Sequence, residues 1–336
     1  MKTTTFFLKA FKILFSLFLA IFLISCNDKD KKSFVILGET QGTTYSIKYF
    51  EDKEIISKYS IDSLFKVFDL SLSAYVPHSI VSKINRNEEP VLDNLFIENF
   101  KISQKMFELT QGLFDPSIGT LVDAYGFGPD QIKKINQPDQ IKNHLKYVGL
   151  KQIKIQGQKL IKSHPETLLD FNAIAQGYSV DVVTNFLKSK GVKNALIEIG
   201  GEVYGFGQNL EAKKSWIVGI EDPINSSENN RIIKEKVTLN AEGLATSGNY
   251  RKIKTDSLTG KKFVHIINPK TGAATQSNIL SATVISASTA ESDALATALM
   301  LMPIADIKQF QINHPSYKIL IIYQAEDQSI ATYKSF

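Results

Sequence analysis

The sequence predicts an α+β fold, with mixed antiparallel sheets and packed helices in a single large domain that could form two lobes. Three observations point there. Hairpin-like strand patterns alternate with a few long helical stretches, the C-terminal third is mainly strand, and no fixed-period repeat is present. At 336 residues and 43% hydrophobic content, the chain has ample material for a core.

The chain opens with Lys2, Lys9 and Lys12 ahead of the apolar run ILFSLFLAIFLIS, which ends at Cys26, the only cysteine. That layout predicts a secretory signal over residues 1–25, too short for a comfortable membrane span. The stretch LISC resembles the lipobox of bacterial lipoproteins, which makes Cys26 a lipid anchor, 26–33 a polar tether and 34–336 the folded domain. An uncleaved N-terminal membrane helix is the alternative; either way the domain is exported and faces the periplasm. Removing residues 1–25, with three lysines and no acids, lowers the formal charge from +5 to +2. A nearly neutral chain gives no electrostatic case for nucleic-acid binding. With one cysteine there is neither a disulfide framework nor a thiolate metal site.

FVILGETQGTTYSIKYF reads as two strands around a glycine bend, with Tyr45, Ile47 and Tyr49 on one face. KEIISKYSIDSLFKVFDLSL and LFIENFKISQKMFELTQG carry helix-period apolar spacing, and the second closes at Gly112. Between them SAYVPHS predicts a loop exposing Tyr75 and His78. DQIKKINQPDQIKNHLKYVG predicts a surface helix, and KQIKIQGQKLIKS a hairpin across Gly157. The centre reads as βαβ-like: TLLDF a short strand, NAIAQGYSVDVVTNFLKSKG a helix closing at Gly191, NALIEIGGEVYGFG a strand meeting a glycine pair. Beyond it come strands, interrupted by the helix STAESDALATALMLM, and the chain ends in YKILIIYQA and SIATYKSF.

Several chemistries are excluded. GGEVYGFG lacks the helix that a dinucleotide fingerprint requires, since Val203, Tyr204 and Phe206 prefer strand. There is no GxxxxGK[ST], HExxH or GxSxG motif, and the five histidines are scattered, so any metal is held by oxygen.

The helix from Ser288 reads as buried yet carries Glu291, Asp293 and Thr297. Ser288 and Glu291 have capping-box spacing. Asp293 and Thr297, at i and i+4, share a face where two oxygens could meet a hard cation. Equally, Asp293 could be a solvated acid and Thr297 could bond back to a helix carbonyl. Other small motifs carry two readings as well. Asp115 in LFDPSIG could be a helix cap, Asn268 to Gly272 an ordinary turn, and His265 in VHIINPKTG a satisfied core histidine.

Taken in order, QGTTYSI, SAYVPHSIVSKIN, GLFDPSIGTLVDAYGFGP, LDFNAIAQGYSVD, NALIEIGGEVYGFG, WIVGIEDP, ATSGNYRK, HIINPKTG and SDALATAL resemble the ApbE family of FAD:protein FMN transferases, many of them exported lipoproteins. The likeness spans nearly the whole mature chain. It implies an ApbE-like, T-fold-like architecture and an enzyme that binds FAD as substrate and Mg²⁺ as cofactor. Such an enzyme moves FMN onto a threonine hydroxyl of a target flavoprotein, such as a subunit of a sodium-pumping NADH:quinone oxidoreductase, and releases AMP. Relatives that hydrolyse FAD to FMN and AMP, and a flavin-binding lipoprotein without chemistry, are the alternatives.

Carried over by position, the resemblance implies metal ligation by Asp293, Thr297 and the carbonyl of Ala173. Flavin-nucleotide contacts fall on Gln41, Tyr75, Val76, Pro77, Phe114, Asp115, Asp170, Gln176 and the backbone near Ile267, with the rings of Tyr75 and Phe114 available for stacking. Catalysis falls on His265, as the base that takes the acceptor's proton, and on Asp293. Two positions depart from the family pattern. Gln41 stands where methionine is common, and Gln176 where AKG is frequent, so position 176 carries no charge.

Overall fold

Alternation in the run KILIIYQ sets the layers of the molecule. In the computed structural model, Ile319 and Ile321 enter one core while Leu320 and Ile322 enter another, so this strand is buried on both faces. The structure describes residues 31–129, 138–226, 231–248, 253–255, 262–264, 266–274 and 277–336.

The chain begins with the hairpin β1 (Lys32–Thr40) and β2 (Thr43–Glu51), followed by α1 (Lys58–Leu72), α2 (Ile80–Asn85), α3 (Asn94–Leu109), α4 (Gly119–Ala124) and α5 (Pro138–Leu145). The hairpin β3 (Ile153–Gln156) and β4 (Lys159–Lys162) leads to α6 (Ala175–Ser189), then β5 (Ala195–Ile199) and β6 (Glu202–Phe206). Next come β7 (Trp216–Glu221), β8 (Ile233–Leu239), β9 (Glu242–Gly248), β10 (Ile253–Thr255), β11 (Lys262–Val264) and β12 (Ile279–Ser286). The chain closes with α7 (Thr289–Leu299), α8 (Ile304–Asn313), β13 (Lys318–Gln324) and β14 (Ile330–Lys334).

The main sheet has eight strands in the order β1-β2-β5-β6-β9-β12-β13-β14, every neighbouring pair antiparallel. On one face Tyr45, Ile47 and Tyr49 of β2 pack with Val180, Val183 and Leu187 of α6, as the period-two spacing of the tyrosines requires. Farther along that face, Ala282 and Val284 of β12 meet the alanine-rich α7 and Phe96 and Phe100 of α3. The opposite face is covered by the β7–β8 hairpin, with Trp216, Val237 and Leu239 against Phe50, Val203 and Leu244. Side chains of Ser57, Ser79 and Asp93 cap α1, α2 and α3. Among the described residues no helix is long and apolar enough to cross a membrane.

The α+β expectation holds, and the βαβ-like centre does not. TLLDF forms only an isolated bridge from Leu168 to Ile118: the Asp170 N–H goes to the Pro116 carbonyl, and the side chains of Thr120 and Asn85 take the N–H groups of Leu168 and Leu169. NALIEIGGEVYGFG is two strands, the antiparallel hairpin β5–β6, since Gly200 and Gly201 turn the chain at φ of 62° and 111°. Helix α8 was not expected; only Ile307 of its residues is buried, so its apolar signal is faint. The helix expected across 130–149 is present as Pro138–Leu145, and residues 130–137 lie outside the described residues.

Candidate active site

The N-terminal turns of α6 and α7 meet at the centre of the molecule. Asp293 of α7 is 7% exposed, and its Oδ2 accepts the Gly177 N–H of α6 at 3.0 Å. The helices approach this closely because residue 177 has no side chain: a methyl group there would lie 2.5 Å from the Thr289 carbonyl oxygen and 2.7 Å from Cβ of Asp293. One turn beyond Asp293, the half-buried Thr297 shares a 3.1 Å hydrogen bond between its hydroxyl and that of Ser247 at the end of β9. Asp293 is therefore no solvated acid, and Thr297 is engaged across the sheet.

Burial pushes the Asp293 carboxyl up from 3.8 to about 7; the Gly177 N–H opposes this and the nearby Asp181 carboxylate reinforces it. Asp181 is raised too, by burial first, against the lowering effect of its hydrogen bonds to the first turn of α7. Two buried acids close together, neither in an ion pair among the described residues, form an environment that a hard cation would relieve. The backbone supplies a further oxygen. The Gly177 N–H, which in a regular helix would reach the Ala173 carbonyl, turns to Asp293 instead, and no described residue donates to that carbonyl. A carboxylate, a hydroxyl and a carbonyl with no donor among the described residues are oxygen groups of the type Mg²⁺ prefers, so these residue types fit the ion.

The capping box at the start of α7 is half formed. Ser288 Oγ accepts the Glu291 N–H at 3.3 Å, but the Glu291 carboxylate turns to Lys105 and to the Tyr317 hydroxyl at 2.7 Å.

Beside this junction two tight turns come together. A side chain on Gly200 would collide with the Gln176 amide and with Thr43, which places Gln176 between the β5–β6 and β1–β2 turns. Gln41, at φ of 52°, accepts a 3.4 Å hydrogen bond from Ser179 Oγ, while its own Nε2 is buried without a partner among the described residues. A shallow depression of about 500 Å³ runs along Glu39 to Thr44.

A second group of loops lies around Asp170. Its N–H donates to the Pro116 carbonyl at 2.7 Å, and its carboxylate accepts from the backbone and the side chain of Asn172, at 2.7 and 3.1 Å. Asn85 clamps the neighbouring Leu169 backbone through two hydrogen bonds of 2.8 and 2.9 Å. Tyr75 is 53% exposed; its hydroxyl donates to the Phe127 carbonyl at 3.4 Å, and its pKa is raised first by desolvation and then by Asp170. Val76 is half-buried and Pro77 exposed in the same loop, as the SAYVPHS reading expects.

Asp115 does not cap α4, which begins at Gly119. It is buried, accepting from Ser117 N and Oγ at 2.8 and 2.6 Å and from Leu150 N at 3.1 Å, so it ties two loops together. Phe114 is 2% exposed inside the larger core and its N–H donates to Thr110 Oγ1 at 3.0 Å, so the structure does not present its ring for the stacking expected of it. Ile267 is buried with Leu121, Tyr125 and Ala274, and the turn after it is the ordinary one expected, with Asn268 Oδ1 accepting from Lys270 N at 2.9 Å. His265 and Cys26 lie outside the described residues.

The ApbE family model matches residues 41–321, from Gln41 in the β1–β2 turn to Ile321 in β13. The chain belongs to the ApbE family. It is 31% identical over 298 residues to the FAD:protein FMN transferase of Haemophilus influenzae, a match covering 84% of each chain. The fold is similar to that of the flavin transferase ApbE from Vibrio cholerae, with a TM-score of 0.78 at 29% identity over 90% of this chain and 97% of that one. The apo form of the Pseudomonas stutzeri flavinyl transferase ApbE gives a TM-score of 0.79 at 26% identity, covering 90% and 95%.

Sequence reasoning missed Gly177 and Asp181, and named Ser247 only as part of a motif. The signal was present in AQGYSVD, where glycine and aspartate stand at i and i+4 on one face of α6.

Proposed function

We propose that this ApbE-family chain transfers FMN from FAD to a threonine hydroxyl of a protein acceptor and releases AMP. One observation carries the reading: Asp293 is buried one turn from Thr297 and bonded to the Gly177 N–H, with no ion-pair partner among the described residues, in a chain whose relatives are named FAD:protein FMN transferases. Asp293, Thr297 and the Ala173 carbonyl would hold Mg²⁺, which when bound neutralises charge on a pyrophosphate and its departing phosphate. The chain's own residues position the reactants. Tyr75 offers an aromatic face for a flavin or adenine ring, and the Gln41 amide, Gln176 and the Gly200–Gly201 turn line the approach. The acceptor oxygen forms a bond to the FMN phosphorus, the bond from that phosphorus to the AMP oxygen breaks, and the hydroxyl proton passes to His265.

Incubation of the chain with FAD, Mg²⁺ and an acceptor bearing a threonine in a Ser/Thr-rich segment, followed by chromatography for AMP, tests this. AMP release that depends on the acceptor is expected. Release at an equal rate without it would make the chain an FAD pyrophosphatase, and bound FAD with no release would make it a flavin carrier.

Lys2, Lys9, Lys12 and the apolar run ending at Cys26 support export and a lipid anchor on the periplasmic face of a membrane. Cys26→Ser is expected to shift the protein from the membrane fraction to the soluble fraction; unchanged fractionation would remove the anchor from the account.

A further inference from the structure

Helices α6 and α7 are joined by two carboxylates that point in opposite directions. Asp293 of α7 takes the Gly177 N–H of α6 at 3.0 Å. One turn along α6, Asp181 takes the Ser288 hydroxyl at 2.7 Å and the N–H groups of Thr289 and Ala290 at 2.9 and 3.0 Å, at the very start of α7. The two contacts lie four residues apart on each helix and run in opposite senses, from 177 to 181 on one and from 293 to 289 on the other. Together they fix the antiparallel register of the pair. Between the two contacts Gly177 lies directly against the Thr289 backbone and Cβ of Asp293, so no side chain separates the helices at that point.

We infer that Asp181 is a positioning residue for flavin transfer: by holding the first turn of α7 it keeps the Asp293 carboxylate in register with the start of α6, where Ala173 lies. The inference rests on the flavin-transfer reading above. Asp181 itself is committed to three donors and is not one of the cation's ligands, so it acts through Asp293.

The test uses the full chain and two readouts: melting temperature against Mg²⁺ concentration without FAD, and the Mg²⁺ concentration giving half-maximal AMP release at saturating FAD. In Asp181→Asn an amide NH₂ faces backbone donors, and half-saturation is expected to rise about 10–100-fold in both readouts, as for other residues that orient metal ligands, with the KM for FAD at saturating Mg²⁺ unchanged. Tyr317→Phe loosens the same turn from its other side, by removing the hydroxyl that donates to Glu291 at 2.7 Å, and is expected to lower the melting temperature without moving Mg²⁺ dependence. A destabilised Asp181→Asn with unaltered half-saturation would overturn the inference, as would an equal shift in Tyr317→Phe. If Asp181→Asn does not fold, Ser288→Ala, which removes one of the three bonds, is expected to shift half-saturation in the same direction by less; no shift there overturns it too. Should the unaltered chain release no AMP, the flavin-transfer reading fails while the thermal titration still decides the role of Asp181.

Discussion

Asp293→Asn is expected to abolish flavin transfer while making the protein without bound metal more stable at pH 8. The two effects share one cause. In the folded chain burial holds the Asp293 carboxyl at about 7, against 3.8 when exposed. Below pH 3.8 both states are protonated and the group contributes no difference. As pH rises from there to about 7 the unfolded chain releases a proton that the folded chain retains, so stability falls, and above 7 the full deficit is present. An asparagine keeps an oxygen for the Gly177 N–H and carries no charge, so it is expected to gain on the order of 1–3 kcal/mol at pH 8. The gain should vanish near pH 3 and be reversed by Mg²⁺, which stabilises only the aspartate form. Removing the sole charged ligand of the proposed set is expected to slow transfer by about 10³-fold or more, since metal stabilisation of developing phosphate charge amounts to several kcal/mol. Thermal melts of both forms at pH 4 and pH 8, with and without Mg²⁺, check the first effect, and AMP release checks the second.

Gly177→Ala has the second largest expected effect. Alanine is the better helix former by about 1 kcal/mol, so propensity alone favours the change. Sterics outweigh it. A methyl group 2.5 Å from the Thr289 carbonyl oxygen and 2.7 Å from Cβ of Asp293 meets backbone on one side, so α7 must move away from α6. Overpacking of this kind costs about 1–3 kcal/mol, and a displacement near 1 Å at the carboxylate costs about 10²-fold in rate. Gly191 at the far end of α6 is the control. It has φ of 88° and open space around it, so Gly191→Ala strains only the backbone and is expected to leave transfer intact. Equal losses of activity in the two variants would detach Gly177 from the site.

How far the sequence carries depends on whether a feature is local. The tyrosines of β2 and the helices α1 and α3 follow from period within a dozen residues, and those elements match the structure. Asp293 and Thr297 were legible for the same reason, as two oxygens one turn apart in an otherwise apolar helix. What was lost depends on distant partners. TLLDF has strand composition, yet its long-range backbone bonds go to the Asn85 side chain and to residues 116–120, 48 to 84 residues earlier. Phe114 looked available for stacking because nothing nearby marks it as core; the core cluster it joins is assembled from α3, α7 and the central sheet. Nothing local marks Asp181, and its meaning appears only when α7 is laid against it.

The most direct measurement is the intact mass of an acceptor protein after incubation with this chain and FAD, with and without Mg²⁺, followed by peptide mapping. A covalent FMN adduct on a single threonine, formed only with Mg²⁺ and absent when that threonine is changed to alanine, is the result expected. An acceptor of unchanged mass, under conditions where an established ApbE-family flavin transferase modifies the same acceptor, would contradict the assignment of this chain as the transferase.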